Sequence, residues 1–299
     1  MIPTEKEYIS VAQWAKQNGV SERTARNYCA NGKIEGAFLI GKTWNVPATA
    51  PVPQRKRKIK LSTLLEILKS EMENRRKGGI YHRIQIDLTY NSNHIEGSRL
   101  SEEQTRLIFD TNTLGVSETS INVDDVIETS NHFRAIDYIV EHAEARLTEP
   151  FIKQLHAILK TGTSDSAKKW AKVGHYKTLP NEVGGNMTTP PEEVTEEMRS
   201  LLKEYNSIKT PSFEDIIDFH WRFERIHPFY DGNGRVGRLI MFHECLRLGI
   251  VPFIITDNLK MFYYRGLQNW PRLKGYLLDT CLTAQDEFKK IMQYFRIPY

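Results

Sequence analysis

Apolar residues recur every three to four positions along most of the chain, which is the spacing of amphipathic helices. The helices predicted from this pattern cover Leu61 to about Asn91 with a break at Gly78-Gly79, a segment from Ser101, Val126–Ala143, Thr148–Lys160, Arg238 to about Leu248, and about Leu273 to Phe295. Residues 174–191 are rich in Gly, Pro and Asn, which favours a hairpin or loop. The pattern therefore predicts a mainly α fold, in which an all-helical domain carries one small hairpin or loop.

Shorter elements are predicted in the first fifty residues. Ser10 and Ser21 each precede a short helical pattern, and Gly19-Val20 would form the turn between the two helices. Residues 37–40 and 43–46 are typical of two strands joined by a tight turn. The segment resembles the small winged helix-turn-helix domains of the MerR and excisionase type.

That resemblance implies DNA binding, because the second helix of such a motif enters the major groove. The candidate contact residues are Arg23, Thr24, Arg26 and Asn27 on the second helix and Lys42 at the tip of the wing. The alternative interpretation is a helical protein-docking module followed by a solvated basic linker.

The distribution of charge points to a polyanionic partner for the N-terminal part. Residues 1–60 carry eleven Lys and Arg against four Asp and Glu, whereas the remaining residues carry 30 against 33, and the whole chain has a net charge of +4. An excess of cations at one end is typical of a segment that contacts phosphates. The predicted division is a winged helix-turn-helix domain at 1–50, a basic linker at 51–60 and a helical domain at 61–299.

Composition sets the class of protein. The chain is 40% hydrophobic and 26% charged, as expected for a globular protein, and no run of about 18 apolar residues predicts a membrane span. The N-terminus lacks the pattern of a signal peptide. Three scattered cysteines, Cys29, Cys245 and Cys281, argue against a disulfide framework or a zinc site. These features together predict a cytoplasmic protein.

The stretch from His227 to Arg238, HPFYDGNGRVGR, collects the groups that a phosphate site needs. Imidazole has an unperturbed pKa of about 6.5 and can accept a proton, and the carboxylate of Asp231 suits Mg²⁺. Gly232-Asn233-Gly234 can turn with their N–H groups converging on an anion. If a helix begins at Arg235, then Arg235 and Arg238 share one face and can both bind phosphate oxygens.

With every fixed position present, this stretch resembles the signature of the Fic family, HPF-x-[D/E]-G-N-G-R-x-x-R, and the resemblance extends over about residues 85–285. It implies a Fic (Fido) fold and transfer of AMP from ATP to a Tyr, Thr or Ser hydroxyl of a protein. By resemblance, His227 would deprotonate the hydroxyl and Asp231 would hold Mg²⁺. The implied phosphate-binding residues are Gly232, Asn233 and Gly234 for the α- and β-phosphates, Arg235 for the β-phosphate and Arg238 for the γ-phosphate.

Residues 92–97, Ser-Asn-His-Ile-Glu-Gly, are similar to the inhibitory motif of the same family. Ser92 and Glu96 are spaced to share a helix face, and Gly97 would end that helix. The carboxylate of Glu96 would pair with Arg238 and occupy the partner of the γ-phosphate. The alternative is an ordinary glutamate exposed at a helix end.

Two further segments resemble parts of Fic nucleotide sites. Residues 174–191 are similar to the family's flap, which places Val183, Gly184, Gly185 and Asn186 near the nucleotide. The family usually has Tyr-Arg where this chain has Tyr176-Lys177, which weakens the match. Tyr263 and Tyr264 match the family's Tyr-Tyr-x-x-Leu helix, where an aromatic ring can pack on adenine, although an aromatic stripe can equally belong to the core.

The reading from the sequence is thus an adenylyltransferase that is restrained by its own Glu96. Two alternatives stay open: the same site removing AMP from a modified protein, and a DNA-binding transcriptional regulator whose nucleotide site is a sensor. The expected partners are ATP, a target protein that could be another copy of the chain, and DNA, without a membrane. The sequence leaves the oligomeric state open, a homodimer included.

Overall fold

The computed structural model describes residues 7–41, 43–53, 63–115 and 120–299. Contacts divide the chain into two units, Met1–Lys60 and Leu61–Tyr299. The candidate Lys42 and the basic run Arg55–Lys58 lie outside the described residues.

The N-terminal unit is two short helices beside a three-stranded antiparallel sheet. Its elements are β1 Tyr8–Ser10, α1 Val11–Gln17, α2 Glu22–Ala30, β2 Phe38–Ile40 and β3 Thr43–Pro47. The strand order is β1-β3-β2, with Ile9 opposite Val46 and Leu39 opposite Trp44. Ser10 and Ser21 cap the two helices as the sequence predicts, because each hydroxyl accepts a backbone N–H three residues on. Strand β1 was not predicted.

The second unit is built of ten helices among the described residues and one two-stranded hairpin. The helices are α3 Leu64–Glu73, α4 Ile80–Ile95, α5 Glu102–Thr111, α6 Val123–Glu141, α7 Glu149–Lys160, α8 Pro191–Ser207, α9 Phe213–Ile226, α10 Asn233–Leu248, α11 Lys260–Asn269 and α12 Gly275–Tyr294. The hairpin pairs β4 Glu182–Val183 with β5 Asn186–Met187 in antiparallel register. The prediction of a mainly helical protein with a small hairpin is confirmed.

The structure differs from the sequence prediction in two helices that were not predicted and in the start of α10. Helices α8 and α9 were not predicted, although Pro191 at the start of α8 and the capping box of Ser212 with Asp215 at the start of α9 are usable signals. Helix α10 begins at Asn233, two residues before the expected Arg235. Within the described residues, no helix is both long and apolar enough to cross a membrane.

Helix α10 lies at the centre of the second unit and packs against α9, α7, α6 and α4. Its buried side chains include Val236, Leu239, Ile240 and Phe242, which belong to the main hydrophobic core. A helix that is apolar on most sides is expected in such a central position. The consequence is that the N-terminus of α10 is held in place by the helices that surround it.

Candidate functional site

The loop between α9 and α10 is fixed by its own residues. His227 is the C-terminal capping residue of α9 in the left-handed conformation, with φ 51°, and Gly232 is the N-terminal capping residue of α10, with φ 80°. The side chain of Asn233 accepts from Phe229 N and donates to Phe229 O, both at 2.8 Å. Phe229 is fully buried, and its ring stacks on His156 with centroids 3.9 Å apart. The loop therefore presents His227 and Asp231 from a defined backbone.

The expected Gly-Asn-Gly turn is only partly formed. Gly232 alone lies in the turn, while Asn233 and Gly234 already belong to the first turn of α10. The first N–H groups of a helix have no acceptor within the helix, so they form an anion site at its N-terminus. A Cβ on Gly234 would lie 2.2 Å from Oε1 of Glu96, which means that this carboxylate sits directly against that N-terminus.

His227 is poised to accept a proton. Burial lowers the pKa of its imidazole to about 4, and the positive charge of Lys177 acts in the same direction. The carbonyl of Glu224 and the carboxylates of Glu96 and Asp231 raise it by smaller amounts. The ring is consequently neutral near pH 7, as a general base must be.

Asp231 is ionised and partly accessible. Its Oδ2 accepts hydrogen bonds from Lys160 Nζ at 2.6 Å and from Arg235 Nη2 at 3.2 Å, and the side chain is 47% exposed. Burial would raise the pKa of the Asp231 carboxyl, but the charges of Arg235 and Lys160 hold it well below its usual range. An ionised carboxylate of this kind fits Mg²⁺. Among the described residues no group of three or more His, Cys, Asp or Glu is placed to hold a metal.

The two arginines of the signature are buried and held by carboxylates. Arg235 donates from Nη1 to Glu128 and from Nη2 to Asp231, whereas Arg238 Nη2 donates to Glu96 at 2.7 Å. Arg238 also donates to the hydroxyl of Ser92 from Nε at 3.0 Å and to its carbonyl from Nη2 at 2.9 Å. Burial would lower the pKa of the Arg238 guanidinium, but Glu96 raises it above its usual value, so the group stays charged.

Ser92, Glu96 and Gly97 stand where α4 meets α10. Glu96 is the C-terminal capping residue of α4, one position past the last helical residue, and Gly97 follows with φ 99°. Burial acts to raise the pKa of the Glu96 carboxyl, but Arg238 and Arg235 outweigh it and lower the pKa overall. The carboxylate is therefore ionised where it contacts Arg238.

Sequence reasoning missed two charged residues that complete the site, Glu128 and Lys160. The Lys160 ammonium contacts Glu128, Asp231 at 2.6 Å and Asp165 at 2.8 Å, with 3% of the residue exposed. A signal was available, because Glu128 falls on the apolar stripe of α6 and Lys160 on that of α7. A charge on such a stripe is either paired or functional.

Sequence reasoning also passed over Glu224, which lies close to Arg238 on the side of α9. A Cβ on Gly237 would lie 2.8 Å from its Oε1, so the absence of a side chain at Gly237 permits this close approach. Burial, with a smaller contribution from Glu96, raises the pKa of Glu224 to about 8, which leaves it mostly protonated at neutral pH.

The two tyrosines that were predicted to contact adenine, Tyr263 and Tyr264, differ in burial. Tyr263 is 1% exposed, and its hydroxyl is 2.7 Å from Nε2 of His220, so it is a core residue and its ring is not available to a base. Tyr264 is only partly buried, and its hydroxyl donates to Ile95 O at 3.3 Å, beside Glu96. Of the two tyrosines, Tyr264 is the one that remains a candidate.

The flap residues occupy the tip of the hairpin. Val183 lies opposite Asn186 in the register, and Gly184 and Gly185 form the turn with φ 56° and 77°. Those backbone angles favour glycine. Their proximity to a nucleotide stays a prediction.

The DNA candidates of the N-terminal unit differ in availability. Arg23 and Asn27 are exposed on α2. Arg26 is ion-paired with Glu22 at 2.8 Å, and Thr24 is half-buried with its hydroxyl 2.8 Å from that of Ser21. Thr24 thus belongs to the helix cap, and Arg23 and Asn27 are the more accessible pair.

Part of the second unit is similar in sequence to known proteins of one family. Residues 146–245 match the Fic/DOC family. A protein adenylyltransferase Fic from Nematostella vectensis is 25% identical over 182 residues, which cover 60% of this chain and 41% of that protein. Its counterpart from Drosophila grimshawi is 28% identical over 188 residues, which cover 60% and 36%. The chain thus spans well under half the length of these curated relatives.

Solved structures agree on the fold. A Fic domain containing signaling protein from Bacteroides thetaiotaomicron has a TM-score of 0.57 at 28% identity, covering 77% of this chain and 90% of that one. Fic-1 from Caenorhabditis elegans has a TM-score of 0.58 at 20% identity, covering 77% and 72%, and shows the fold alone. The second unit is therefore similar in fold to solved Fic proteins, and residues 146–245 match the Fic/DOC family.

Proposed function

We propose that the chain is a protein adenylyltransferase, which transfers AMP from ATP to a Tyr, Thr or Ser hydroxyl of a target protein, and that Glu96 restrains it. The observation that carries the proposal is that a neutral imidazole, His227, lies within electrostatic reach of the ionised carboxylates of Asp231 and Glu96, and that Glu96 is bonded to Arg238 at the start of α10. The relatives named protein adenylyltransferase support this class of reaction.

In the proposed reaction, the target hydroxyl oxygen attacks the α-phosphorus of ATP while His227 accepts its proton. The bond from the α-phosphorus to the oxygen that bridges to the β-phosphate breaks, and pyrophosphate leaves. The free N–H groups of the first turn of α10 and the guanidiniums of Arg235 and Arg238 would bind the phosphate oxygens. Asp231 would hold Mg²⁺, which neutralises charge on the leaving pyrophosphate.

Restraint by Glu96 follows from its position. Its carboxylate is bonded to Arg238, the expected partner of the γ-phosphate, and lies against Gly234 at the helix N-terminus. A second negative charge at that place opposes the triphosphate, so ATP would bind weakly or with its α-phosphate badly presented. Displacement of Glu96 would free the guanidinium of Arg238 and the N-terminus of α10 at the same time.

Mass spectrometry of the Glu96→Gly protein, incubated with ATP and Mg²⁺, tests the proposal directly. An adenylate adduct on the protein is expected, and it should vanish in the double variant Glu96→Gly/His227→Ala. A folded Glu96→Gly protein that binds ATP yet acquires no adduct, and modifies no protein in an extract, would contradict the adenylyltransferase assignment.

A second candidate is removal of AMP, which the ionised state of Glu96 favours. In this reaction the carboxylate would orient a water that attacks the phosphorus of the bound AMP, the bond from phosphorus to the side-chain oxygen breaks, and that oxygen takes up a proton to leave as a hydroxyl. Release of AMP from an adenylated protein by wild type, with loss of that release in Glu96→Gly, would favour this direction over transfer.

We further propose that the N-terminal unit binds DNA. The support is a helix with exposed Arg23 and Asn27 on a small helical and three-stranded unit in the cationic part of the chain. Electrophoretic mobility shifts with the full chain and with a chain lacking residues 1–50 would test it. Retained binding by the shortened chain would contradict it.

A further inference from the structure

Lys177 connects the β4–β5 hairpin to the loop that carries His227. It is 4% exposed, and its backbone N–H donates to Pro228 O at 2.8 Å. Its ammonium donates to Asn181 Oδ1 at 2.7 Å, to Thr188 Oγ1 at 2.5 Å and to Ile226 O at 3.4 Å. An ammonium has three N–H donors, and here each of them faces an acceptor.

Two of those acceptors flank the hairpin. Asn181 immediately precedes β4, and Thr188 immediately follows β5. Asn181 Nδ2 in turn donates to Phe229 O at 3.2 Å, and the Thr188 hydroxyl lies 2.6 Å from Asn181 Oδ1. Both ends of the hairpin are thereby tied to each other and to the backbone on either side of His227.

The hairpin itself is short and largely exposed. Its strands are two residues each, and Val183 and Met187 are 45% and 73% exposed. An isolated two-stranded hairpin is marginally stable in water, so its position depends on the contacts at its base.

We propose that Lys177 is a positioning residue, which fixes the β4–β5 hairpin relative to the loop that carries His227 and so keeps one geometry at the proposed site. This inference rests on the proposed transfer reaction. The ammonium is also bonded to the carbonyl of Ile226, the residue directly before His227, and its positive charge opposes protonation of that imidazole. The carboxylates of Glu96 and Asp231 act in the opposite direction. Loss of Lys177 should therefore weaken the protection of the hairpin against hydrogen exchange and shift the acid limb of the pH–rate profile.

Three variants are compared. Lys177→Met keeps the length of the side chain but removes its hydrogen-bond donors, and Lys177→Arg keeps the positive charge. The control is Lys169→Met, at an exposed lysine of the preceding segment. Hydrogen exchange is measured on the full chain without nucleotide. Lys177→Met should raise the exchange rate of residues 181–188 at least about tenfold, whereas Lys169→Met should not. Unchanged protection in a folded Lys177→Met protein would overturn the proposal whether or not the chain transfers AMP.

The second measurement is the pH dependence of self-labelling by ATP in the Glu96→Gly background. Lys177→Met should lower the rate at saturating ATP by about tenfold and move the acid limb to higher pH, because His227 loses a neighbouring positive charge. Lys177→Arg keeps the positive charge, so its acid limb should lie at the same pH as that of the Glu96→Gly protein with Lys177 unchanged. If Lys177→Met lowers the rate but leaves the acid limb at the same pH, the proposed effect of the Lys177 charge on His227 is overturned. If the Glu96→Gly protein shows no self-labelling at all, this counts against the transfer reaction, and the hydrogen-exchange result still tests the role of Lys177.

Discussion

The carboxylate of Glu96 accepts a hydrogen bond of 2.7 Å from Nη2 of Arg238, although the two residues are 142 positions apart. Arg238 is 4% exposed and also bonds Ser92, so α4 and α10 are joined at one guanidinium. A phosphate group needs the same guanidinium in the proposed reaction. If the proposed reaction is correct, the carboxylate of Glu96 and a phosphate of the nucleotide compete for Arg238.

Replacing Glu96 by Gln should strengthen ATP binding. The substitution removes the negative charge at Arg238 and keeps the shape of the side chain. We expect about a tenfold lower Kd for ATP, which corresponds to roughly 1.4 kcal/mol. Isothermal titration calorimetry measures it, with Glu103→Gln at the exposed start of α5 as the control. Equal ATP affinities in Glu96→Gln and wild type would speak against competition at Arg238.

Replacing Lys160 by Met should destabilise the second unit strongly. The buried ammonium is shared by Glu128, Asp165 and Asp231, and its loss leaves those carboxylates without one of their cations. Breaking a buried ion pair from one side typically costs about 3–5 kcal/mol. Denaturant unfolding should show a loss of that size.

Lys153→Met on the same helix is the control for that measurement. Its ammonium forms a partly exposed ion pair with Glu149 and lies over the ring of Tyr176. Contacts of these two kinds each contribute about 1 kcal/mol or less. Similar losses in the two variants would mean that the shared ammonium of Lys160 has no special importance for stability.

Acid should unfold the protein through its buried histidines. Burial lowers the pKa of His132 to about 3, of His156 to about 4 and of His220 to about 3. As pH falls below about 6.5, the unfolded chain takes up these protons before the folded chain does, so the free energy of unfolding decreases until pH approaches 4. The expected slope is about 1.4 kcal/mol per pH unit for each imidazole.

Denaturant unfolding between pH 7 and pH 4.5 measures this slope. His220→Gln should flatten it by the share of one imidazole, while His175→Gln at an exposed position should leave it unchanged. A stability that is constant across this range would show that the buried rings do not resist protonation.

Arg23→Ala should weaken DNA binding in a manner that depends on salt. Its guanidinium is exposed on α2, and each lost phosphate contact lowers the slope of log affinity against log salt by about one. Fluorescence anisotropy with a mixed-sequence duplex at several salt concentrations measures it. Arg199→Ala, an exposed arginine on α8 of the second unit, is the control, and identical salt slopes in both variants would count against the N-terminal unit as the binding site.

Local sequence rules predicted most of the helical fold. Periodicity and capping residues located α5, α6 and α7 to within a few residues, because these signals act between neighbours along the chain. The same rules did not lead to a prediction of α8 and α9, although both helices begin at recognisable signals, Pro191 and the capping box of Ser212. At α10 the Gly-Asn-Gly motif was read as a turn, whereas the helix starts inside it.

The sequence by itself determined which chemical groups this protein has and placed His227, Asp231, Arg235 and Arg238 within twelve residues. Only the tertiary structure decided their partners: Glu128 and Lys160 at Asp231 and Arg235, Glu96 at Arg238, Lys177 at the hairpin, and a core position for Tyr263. The physical reason is that the free energy of a buried charge depends on what faces it across helices that are far apart in the chain. Spacing along one helix carries no information about that opposing surface.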